Sequence, residues 1–336
     1  MVKKIIKIGA LAAILAFAVL TINLKPINDS TIGENVHRRK LAATTERYVM
    51  PYLETRFGEL SEPFLKGRDT SFFWNVPKAG GTTVMDYIGT CLDVVVASEV
   101  GITENHHADR ELRVVQMSNG RNYVNVDTTN PAGISRAVEL GFAQSGLADV
   151  VVAPLLYEGA FMFSNEHRAR MFAMFRHPIV RAGSLFNYFQ KSSQEFPFHP
   201  EFKSMTIQQY AQSKFVENNF MTRFLAKKPK GPLSQEDVVV AKDIMRYKCL
   251  IGLTDHMDES LDRFTRYFGW KVKPGSENVR KCKKKLVPNR NARMHQEVIE
   301  GTMVWNLLAE SNYYDIQLYA HALDLFEEQR GIPALR

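Results

Sequence analysis

The amino-acid sequence predicts an α/β domain whose mostly parallel sheet is flanked by helices. Between residues 71 and 175, short apolar segments alternate with amphipathic ones, which is the pattern of strands joined by helical crossovers. The chain has 336 residues and 45% hydrophobic content, which is enough for a core of that size. Strands are predicted at residues 72–76, 94–97, 123–126, 150–153 and 171–175, and helices follow mainly at 206–213, 215–225, 234–248, 257–268, 294–310 and 315–329.

Residues 1–24 predict a signal-anchor helix at the N-terminus. Lys3, Lys4 and Lys7 precede seventeen uncharged residues at 8–24, which is the short end of the length that a bilayer requires. Lysines on the N-terminal side predict a cytoplasmic N-terminus and a lumenal remainder. A cleaved signal peptide is the alternative, because residues 16–18 (AFA) form a weak small-x-small cleavage site. Both interpretations place the rest of the chain in the secretory pathway.

Residues 25–70 are mixed and polar, and we interpret them as a stem that leads to a globular domain at 71–330. The net charge of +7 and the pI near 9.2 favour an acidic partner or an anionic surface. Three cysteines are too few for a disulfide framework, and their pairing stays open. Because the sequence has no CxxC or HExxH pattern, no metal is expected.

The segment 71–89, SFFWNVPKAGGTTVMDYIG, predicts a phosphate-binding turn. An apolar strand stops at Pro77, the chain turns through glycines, and a helix is expected to begin at Thr82. The N–H groups and the dipole at the start of a helix bind anions. The residues expected to bind the anion are Lys78, Ala79, Gly80, Gly81, Thr82 and Thr83. An ordinary strand-to-helix turn with a surface lysine is the alternative.

The position of the lysine indicates which kind of phosphate site this is. In a Walker P-loop the lysine follows the glycines, whereas here it precedes them, so nucleotide hydrolysis through a standard P-loop is disfavoured.

A second candidate anion site lies at residues 170–189. The predicted strand ends just before Arg176, and Pro178 opens a helix that carries Ser184 about two turns further on. Ligands of open α/β sheets bind beyond the carboxyl ends of the strands, where Arg176 and Lys78 would both lie. A guanidinium group and a hydroxyl suit a phosphate monoester. A structural ion pair of Arg176 is the alternative.

Together, these two motifs resemble those of sulfotransferases that use 3′-phosphoadenosine 5′-phosphosulfate (PAPS). Residues 77–83 resemble the loop that holds the 5′-phosphosulfate, and residues 176–184, Arg-x-Pro-Ile-x-Arg-x-x-Ser, resemble the motif that holds the 3′-phosphate. Residues 125–131 resemble a short motif that lies between them. The similarity covers about residues 70–330 and is closest to the Golgi heparan sulfate 2-O-sulfotransferase type of carbohydrate sulfotransferase.

The resemblance implies a P-loop NTPase-like sulfotransferase fold behind a type II Golgi membrane anchor, with a lumenal catalytic domain. It implies transfer of a sulfuryl group from PAPS to a hydroxyl of a polysaccharide or glycan. By position, residues 78–83 would hold the 5′-phosphosulfate, and Arg176 and Ser184 would hold the 3′-phosphate. Lys78 would also stabilise the charge that develops on the bridging oxygen.

The sequence lacks the residues that supply the general base in the resembled family. The 2-O type has His-x-His before a tyrosine that aligns with Tyr157, whereas residues 152–157 here read VAPLLY. Glu158 is the nearest carboxylate, and we expect it to act as the base. His106 and His107 are the other candidates, although a histidine pair in a polar loop is typical of a solvated surface. If no base is present, the chain would be a catalytically inactive PAPS-fold protein that binds polysaccharide.

Residues 280–285 carry five positive charges, and Arg290 and Arg293 follow. Such a run is typical of a solvated loop, but beside a PAPS site it also suits an acidic polysaccharide acceptor. A neutral glycan acceptor stays open. Nucleic acid is disfavoured by the secretory N-terminus and by the lack of a recognisable nucleic-acid module.

Overall fold

The protein is described by a computed structural model over residues 51–191, 200–272, 279–286 and 298–332, and within these ranges it has an α/β fold. Its seven-stranded sheet has the order β3-β4-β2-β5-β1-β6-β7. All neighbouring pairs are parallel except β3 and β4, so the predicted fold class is confirmed. The strands are β1 (Thr70–Trp74), β2 (Val95–Ala97), β3 (Val114–Gln116), β4 (Asn122–Val124), β5 (Val150–Ala153), β6 (Ala169–Phe175) and β7 (Cys249–Leu253).

Helices flank the sheet, and short 3₁₀ turns lie between several elements. The helices within the described ranges are α1 (Pro51–Arg56), α2 (Gly81–Cys91), α3 (Pro131–Glu139), α4 (Phe142–Ser145), α5 (Leu156–Ala160), α6 (Pro178–Lys191), α7 (Ile207–Ala211), α8 (Phe220–Leu225), α9 (Gln235–Lys248), α10 (Met257–Phe268), α11 (Val279–Leu286), α12 (Met303–Ser311) and α13 (Tyr313–Glu328). Strand β7 is a correction, because it lies in a segment that was predicted to be mainly helical.

Strand β1 lies in the interior of the sheet, between β5 and β6. All five of its residues are buried, which explains why its sequence is almost continuously apolar rather than alternating. The parallel register aligns Phe72 with Val151 on one side and with Met171 on the other. The loops that follow β1, β5 and β6 therefore leave the sheet at the same edge.

The packed part of the domain begins earlier than the predicted boundary at residue 71. Leu53 and Phe57 are each only 1% exposed, and Phe57 pairs with Ala169 at the start of β6. The buried Arg170 guanidinium contacts Asp69, with 2.8 Å between Nε and Oδ2. Residues 51–70 therefore belong to the globular domain rather than to the stem.

The predicted anchor at 1–24 and residues 25–50 of the predicted stem lie outside the described residues. Within the part of the chain that the structure does describe, no helix has both the length and the apolar character needed to cross a membrane.

One disulfide connects two helices that are far apart in sequence. Cys91, the last residue of α2, is bonded to Cys282 in α11, with 5.8 Å between their Cα atoms. Cys249 in β7 is a buried free thiol. The basic run at 280–285 is therefore a helix docked on the domain and not a solvated loop.

The contacts of Lys283 explain why the basic helix docks. Lys283 is only 3% exposed, and its Nζ lies 2.6 Å from Asp262 Oδ1 and 2.9 Å from Asp258 Oδ1 on α10. Arg290 and Arg293 lie outside the described residues.

Candidate functional site

The predicted phosphate loop connects β1 to α2 at the carboxyl edge of the sheet. Lys78 and Gly80 adopt left-handed backbone conformations, with φ of 61° and 88°. Helix α2 begins at Gly81, one residue before the predicted start, and the Gly80 carbonyl accepts from Thr83 N–H at 2.9 Å. A lysine at positive φ is uncommon, and residues held in such conformations cluster at functional sites.

Both glycines of this loop are required by their surroundings. A Cβ atom on Gly81 would overlap with Asn75 Oδ1, and one on Gly80 would lie 2.7 Å from Met257 Cε. Gly80 also needs the left-handed conformation that glycine adopts without steric cost. The close turn thus depends on both residues.

Arg176, of the second predicted motif, lies beside the predicted phosphate loop. It follows β6, the neighbour of β1, and its Nη1 donates to the Lys78 carbonyl oxygen at 3.3 Å. The Lys78 ammonium lies 4.7 Å from the ring centroid of Tyr188, which belongs to α6. Burial lowers the pKa of Arg176, and nearby Asp255 opposes that change. Two cations and a helix start therefore lie together at one point of the sheet edge.

The remaining predicted anion ligands differ in exposure. Thr82 is exposed in the first turn of α2, whereas Thr83 is 6% exposed and Ala79 is fully buried. Ser184 is 4% exposed within α6. Direct contacts of these hydroxyls with a phosphate stay predictions.

Asp255 and Tyr319 flank Arg176, and neither was predicted from the sequence to belong to the site. The Tyr319 hydroxyl donates to Asp255 Oδ2 at 3.2 Å. His177, next to Arg176, stacks on Trp305 with 5.2 Å between ring centroids, and burial lowers its pKa. Asp255 follows β7, so predicting that strand would have placed it at this edge.

A cleft of about 800 Å³ lies along α10 and the turn that precedes this helix. Met257 and Thr254 separate it from Gly80. Its acidic side chains do not suit a phosphate, and two of them already bind Lys283. The residues that line it are Thr254, Asp255, His256, Met257, Asp258, Glu259, Asp262, Thr265 and Arg266.

On the other side of β5, the carboxyl ends of β2 and β4 carry carboxylates. Glu99 lies two residues after β2, and its Oε2 is buried without a hydrogen-bond partner among the described residues. Burial raises the pKa of Glu99 to about 8, and the charge of nearby Asp127 acts in the same direction. Glu99 was not predicted from the sequence, because a single carboxylate after a short strand matches no motif.

The segment 125–131, which resembles a family motif, lies at this side of the sheet edge. The Thr128 hydroxyl contacts the carbonyl oxygens of Ala97 and Val152, at 3.0 and 2.8 Å. Asp127 accepts from the N–H and the hydroxyl of Thr129, both at 2.7 Å. Burial raises the pKa of Asp127, although these hydrogen bonds oppose the change.

His106 lies in a neighbouring 3₁₀ turn and is bound by surrounding side chains. Its Nδ1 is 3.1 Å from Asp109 Oδ2, and Asp109 also accepts from Asn125 Nδ2 at 2.8 Å. The hydrogen bond from Asn125 holds the pKa of Asp109 below its usual value. His107 is exposed. A role for either histidine as a base stays a prediction.

Glu158 lies on α5, which follows β5. Burial raises the pKa of Glu158, and Lys227 opposes that change. The charge of Glu158 also helps to raise the pKa of Tyr52 on α1. The neighbouring Tyr157 is fixed by donating to the Leu225 carbonyl oxygen at 2.7 Å. Glu158 therefore interacts with Lys227, which follows α8, and with Tyr52 of α1. Its role as the base stays a prediction.

Comparison of the whole chain with family models gave no match, and comparison with curated proteins gave none either. Within the described ranges, no group of three or more His, Cys, Asp or Glu side chains could hold a metal ion.

Proposed function

We propose that the chain is a PAPS-dependent carbohydrate O-sulfotransferase, which transfers a sulfuryl group from PAPS to a hydroxyl of a polysaccharide or glycan. The observation that supports this most strongly is the contact between Arg176 Nη1 and the Lys78 carbonyl oxygen, at 3.3 Å. It joins two motifs that lie almost a hundred residues apart in sequence. Each motif resembles one of the two phosphate-binding motifs of PAPS enzymes.

Each part of the loop has a chemical task in this proposal. The N–H groups and positive dipole at the start of α2 bind the 5′-phosphosulfate. Arg176 and Ser184 bind the 3′-phosphate, for which a guanidinium fork is well suited. As the sulfuryl group leaves in line, the Lys78 ammonium stabilises the negative charge that develops on the bridging oxygen.

The acceptor is proposed to be a polysaccharide or glycan, acidic or neutral. Helix α11 carries exposed basic side chains, even though Lys283 is buried in ion pairs. A row of positive charge on a helix attracts a polyanion before it reaches the site. The exposed basic residues of this helix are Arg280, Lys281, Lys284 and Lys285.

We also propose a type II location in the Golgi membrane, with residues 1–24 as the anchor and the domain in the lumen. The Cys91–Cys282 disulfide is consistent with an oxidising compartment. In sealed microsomes, a C-terminal tag should be protected from protease until detergent is added. Digestion of the tag without detergent would contradict this topology.

The cofactor assignment is tested with Arg176→Ala in the full-length chain. Calorimetry should show weaker binding of PAPS by about one to two decades, because a lost charge-assisted hydrogen bond costs roughly 1.5–3 kcal/mol. Adenosine 5′-phosphosulfate, which lacks the 3′-phosphate, should be affected far less. Lys230→Ala, at an exposed position, is the control and should leave both affinities unchanged. Equal losses for both ligands would mean that Arg176 is structural.

A non-catalytic protein that binds PAPS and polysaccharide is the second candidate function. The observation that favours it is the segment 152–157, which lacks the histidines of the resembled family. Radiolabelled PAPS, offered with a panel of acidic and neutral polysaccharides, separates the two functions. Label transfer supports the enzyme, whereas cofactor binding without transfer to any acceptor supports the binding protein.

A further inference from the structure

The strand register places Glu99 level with the end of β1. Val96 of β2 and Ser71 of β1 both pair with Val150 of β5, so they lie at the same height on either side of that strand. Ser98 is fully extended, with φ of −165° and ψ of 178°. Glu99 is three residues beyond Val96 and therefore lies level with Trp74, from which the chain continues into the phosphate loop.

The lateral distance between these positions follows from the sheet geometry. Only β5 separates β2 from β1, and neighbouring strands are about 4.8 Å apart, so the two chains are about 10 Å apart. The Thr128 hydroxyl fixes the ends of β2 and β5 relative to each other through its contacts with Ala97 and Val152. A hydroxyl bound at Glu99 and a sulfuryl group bound at the loop would therefore meet above the end of β5.

The environment of Glu99 is unusual for a structural carboxylate. Two other carboxylate oxygens, Glu62 Oε2 and Glu217 Oε2, are also buried without a hydrogen bond, but each lies 2.6 Å from an arginine nitrogen. Glu99 has no such ion pair among the described residues, and its carboxylate accepts only from its own backbone N–H. The buried Oε2 of Glu99 has no hydrogen-bond partner among the described residues. A buried polar atom without a hydrogen-bond partner costs free energy. Such an atom is most readily retained where a bound ligand supplies the missing partner.

Resting on the proposed sulfotransferase function, we propose that Glu99 is the general base that removes the proton from the acceptor hydroxyl. The acceptor O–H bond breaks as its proton passes to the Glu99 carboxylate, and the acceptor oxygen forms a bond to sulfur. The bond between sulfur and the bridging oxygen of PAPS breaks, and its electron pair stays with the departing adenosine 3′,5′-bisphosphate (PAP). Glu99 afterwards releases the proton to solvent.

The raised pKa of Glu99 suits a general base, and Asp127 helps to raise it. A base is most effective when its pKa lies near the working pH, and burial raises that of Glu99 to about 8. Asp127 contributes by its negative charge. The other titratable groups on elements packed against Glu99 are Tyr123 of β4 and the histidine pair of the adjacent 3₁₀ turn, His106 and His107. None of the residues of β2 titrates.

The central experiment compares three Glu→Gln variants of the full-length chain, with radiolabelled PAPS and a panel of acidic and neutral polysaccharides. Glu99→Gln should lower turnover by about 10²–10⁴-fold while PAP affinity changes little. Glu158→Gln tests the competing assignment made from the sequence, and it should lower turnover far less than Glu99→Gln does. Glu139→Gln, at an exposed position on α3, is the matched control and should behave as wild type.

The outcomes separate the failure of this proposal from the failure of the proposed function. Wild-type transfer together with an active Glu99→Gln variant overturns the base assignment alone, and loss of activity only in Glu158→Gln transfers the role to that residue. If the wild type transfers no label to any acceptor, the sulfotransferase function fails and the base assignment fails with it.

A second measurement decides the question if Glu99→Gln does not fold, as judged by loss of PAP binding. The kcat of the wild type should rise with pH through a midpoint near pH 8 and level off above it, because the carboxylate is the active form. Asp127→Asn should move this midpoint to lower pH by removing a negative charge. A wild-type profile that is flat from about pH 6 to about pH 9 overturns the proposal.

Discussion

The carboxyl edge of the sheet has two sides of opposite chemical character. On the β1–β6 side lie Lys78, Arg176 and the start of α2, all of which favour negative charge. On the β2–β4 side lie Glu99 and Asp127, both of which have raised pKa values because they are buried. One strand, β5, separates the two sides. The difference divides the proposed reaction into a side that holds the phosphates and a side that accepts the proton.

The two arginines of the second motif also differ from each other, because one is structural and the other is suited to bind a ligand. Arg181 is fully buried, and its Nη2 lies 2.6 Å from Glu217 Oε2 and 3.7 Å from Asp315 Oδ2. Arg176 donates instead to the backbone carbonyl of Lys78 and is only partly buried. A guanidinium neutralised by two carboxylates is a structural element. One that lies beside a helix start is suited to an anion.

A large expected effect concerns the phosphate side. Lys78→Met should lower kcat by about 10²–10³-fold, because it removes the charge that stabilises the leaving oxygen. Sulfuryl transfer from radiolabelled PAPS measures this. Lys230→Met, at an exposed position, is the control. A Lys78→Met variant with weaker PAPS binding but wild-type kcat would break the comparison, because Lys78 would then only bind the donor.

A smaller effect concerns the stability contributed by the carboxylate side. The folded protein raises the pKa of Glu99 from about 4.5 to about 8, so in that window it keeps a proton that the unfolded chain has lost. The contribution of Glu99 to the free energy of unfolding must therefore fall as the pH rises from about 4.5 to about 8. In Glu99→Gln the side chain does not titrate, so this pH-dependent loss of stability is absent.

Urea unfolding of the full-length chain at about pH 5 and about pH 8 measures the difference. Over that interval, the folded-to-unfolded ratio of the wild type should fall by about tenfold or more relative to Glu99→Gln. Glu139→Gln should follow the wild type. If the stabilities of Glu99→Gln and the wild type change with pH in the same way, then Glu99 titrates normally and the two sides of the edge are chemically more alike.

The phosphate side was easier to predict from sequence than the carboxylate side. A proline, a lysine and two glycines between a strand and a helix specify a turn by local backbone chemistry. Glu99 has no such local signal. Its environment depends on the packing of β4 and on the charge of Asp127, which are near it only because the sheet order places β4 beside β2.

The corrections to the predicted fold have the same origin. Strand β7 was missed because it follows α9 without a break: Lys248 ends the helix and Cys249 begins the strand. Residues 51–70 were assigned to the stem because their composition is polar. Their packing depends on pairs such as Arg170 with Asp69, which are about a hundred residues apart in sequence.

The disulfide between α2 and α11 has a consequence for damage to the chain. Its cysteines are 191 residues apart and enclose six of the seven described strands. A single peptide-bond cleavage at any point between Cys91 and Cys282 would leave both fragments covalently linked. A nicked molecule would therefore migrate as two bands only after reduction, and it would keep the phosphate loop and Arg176 in one covalent unit.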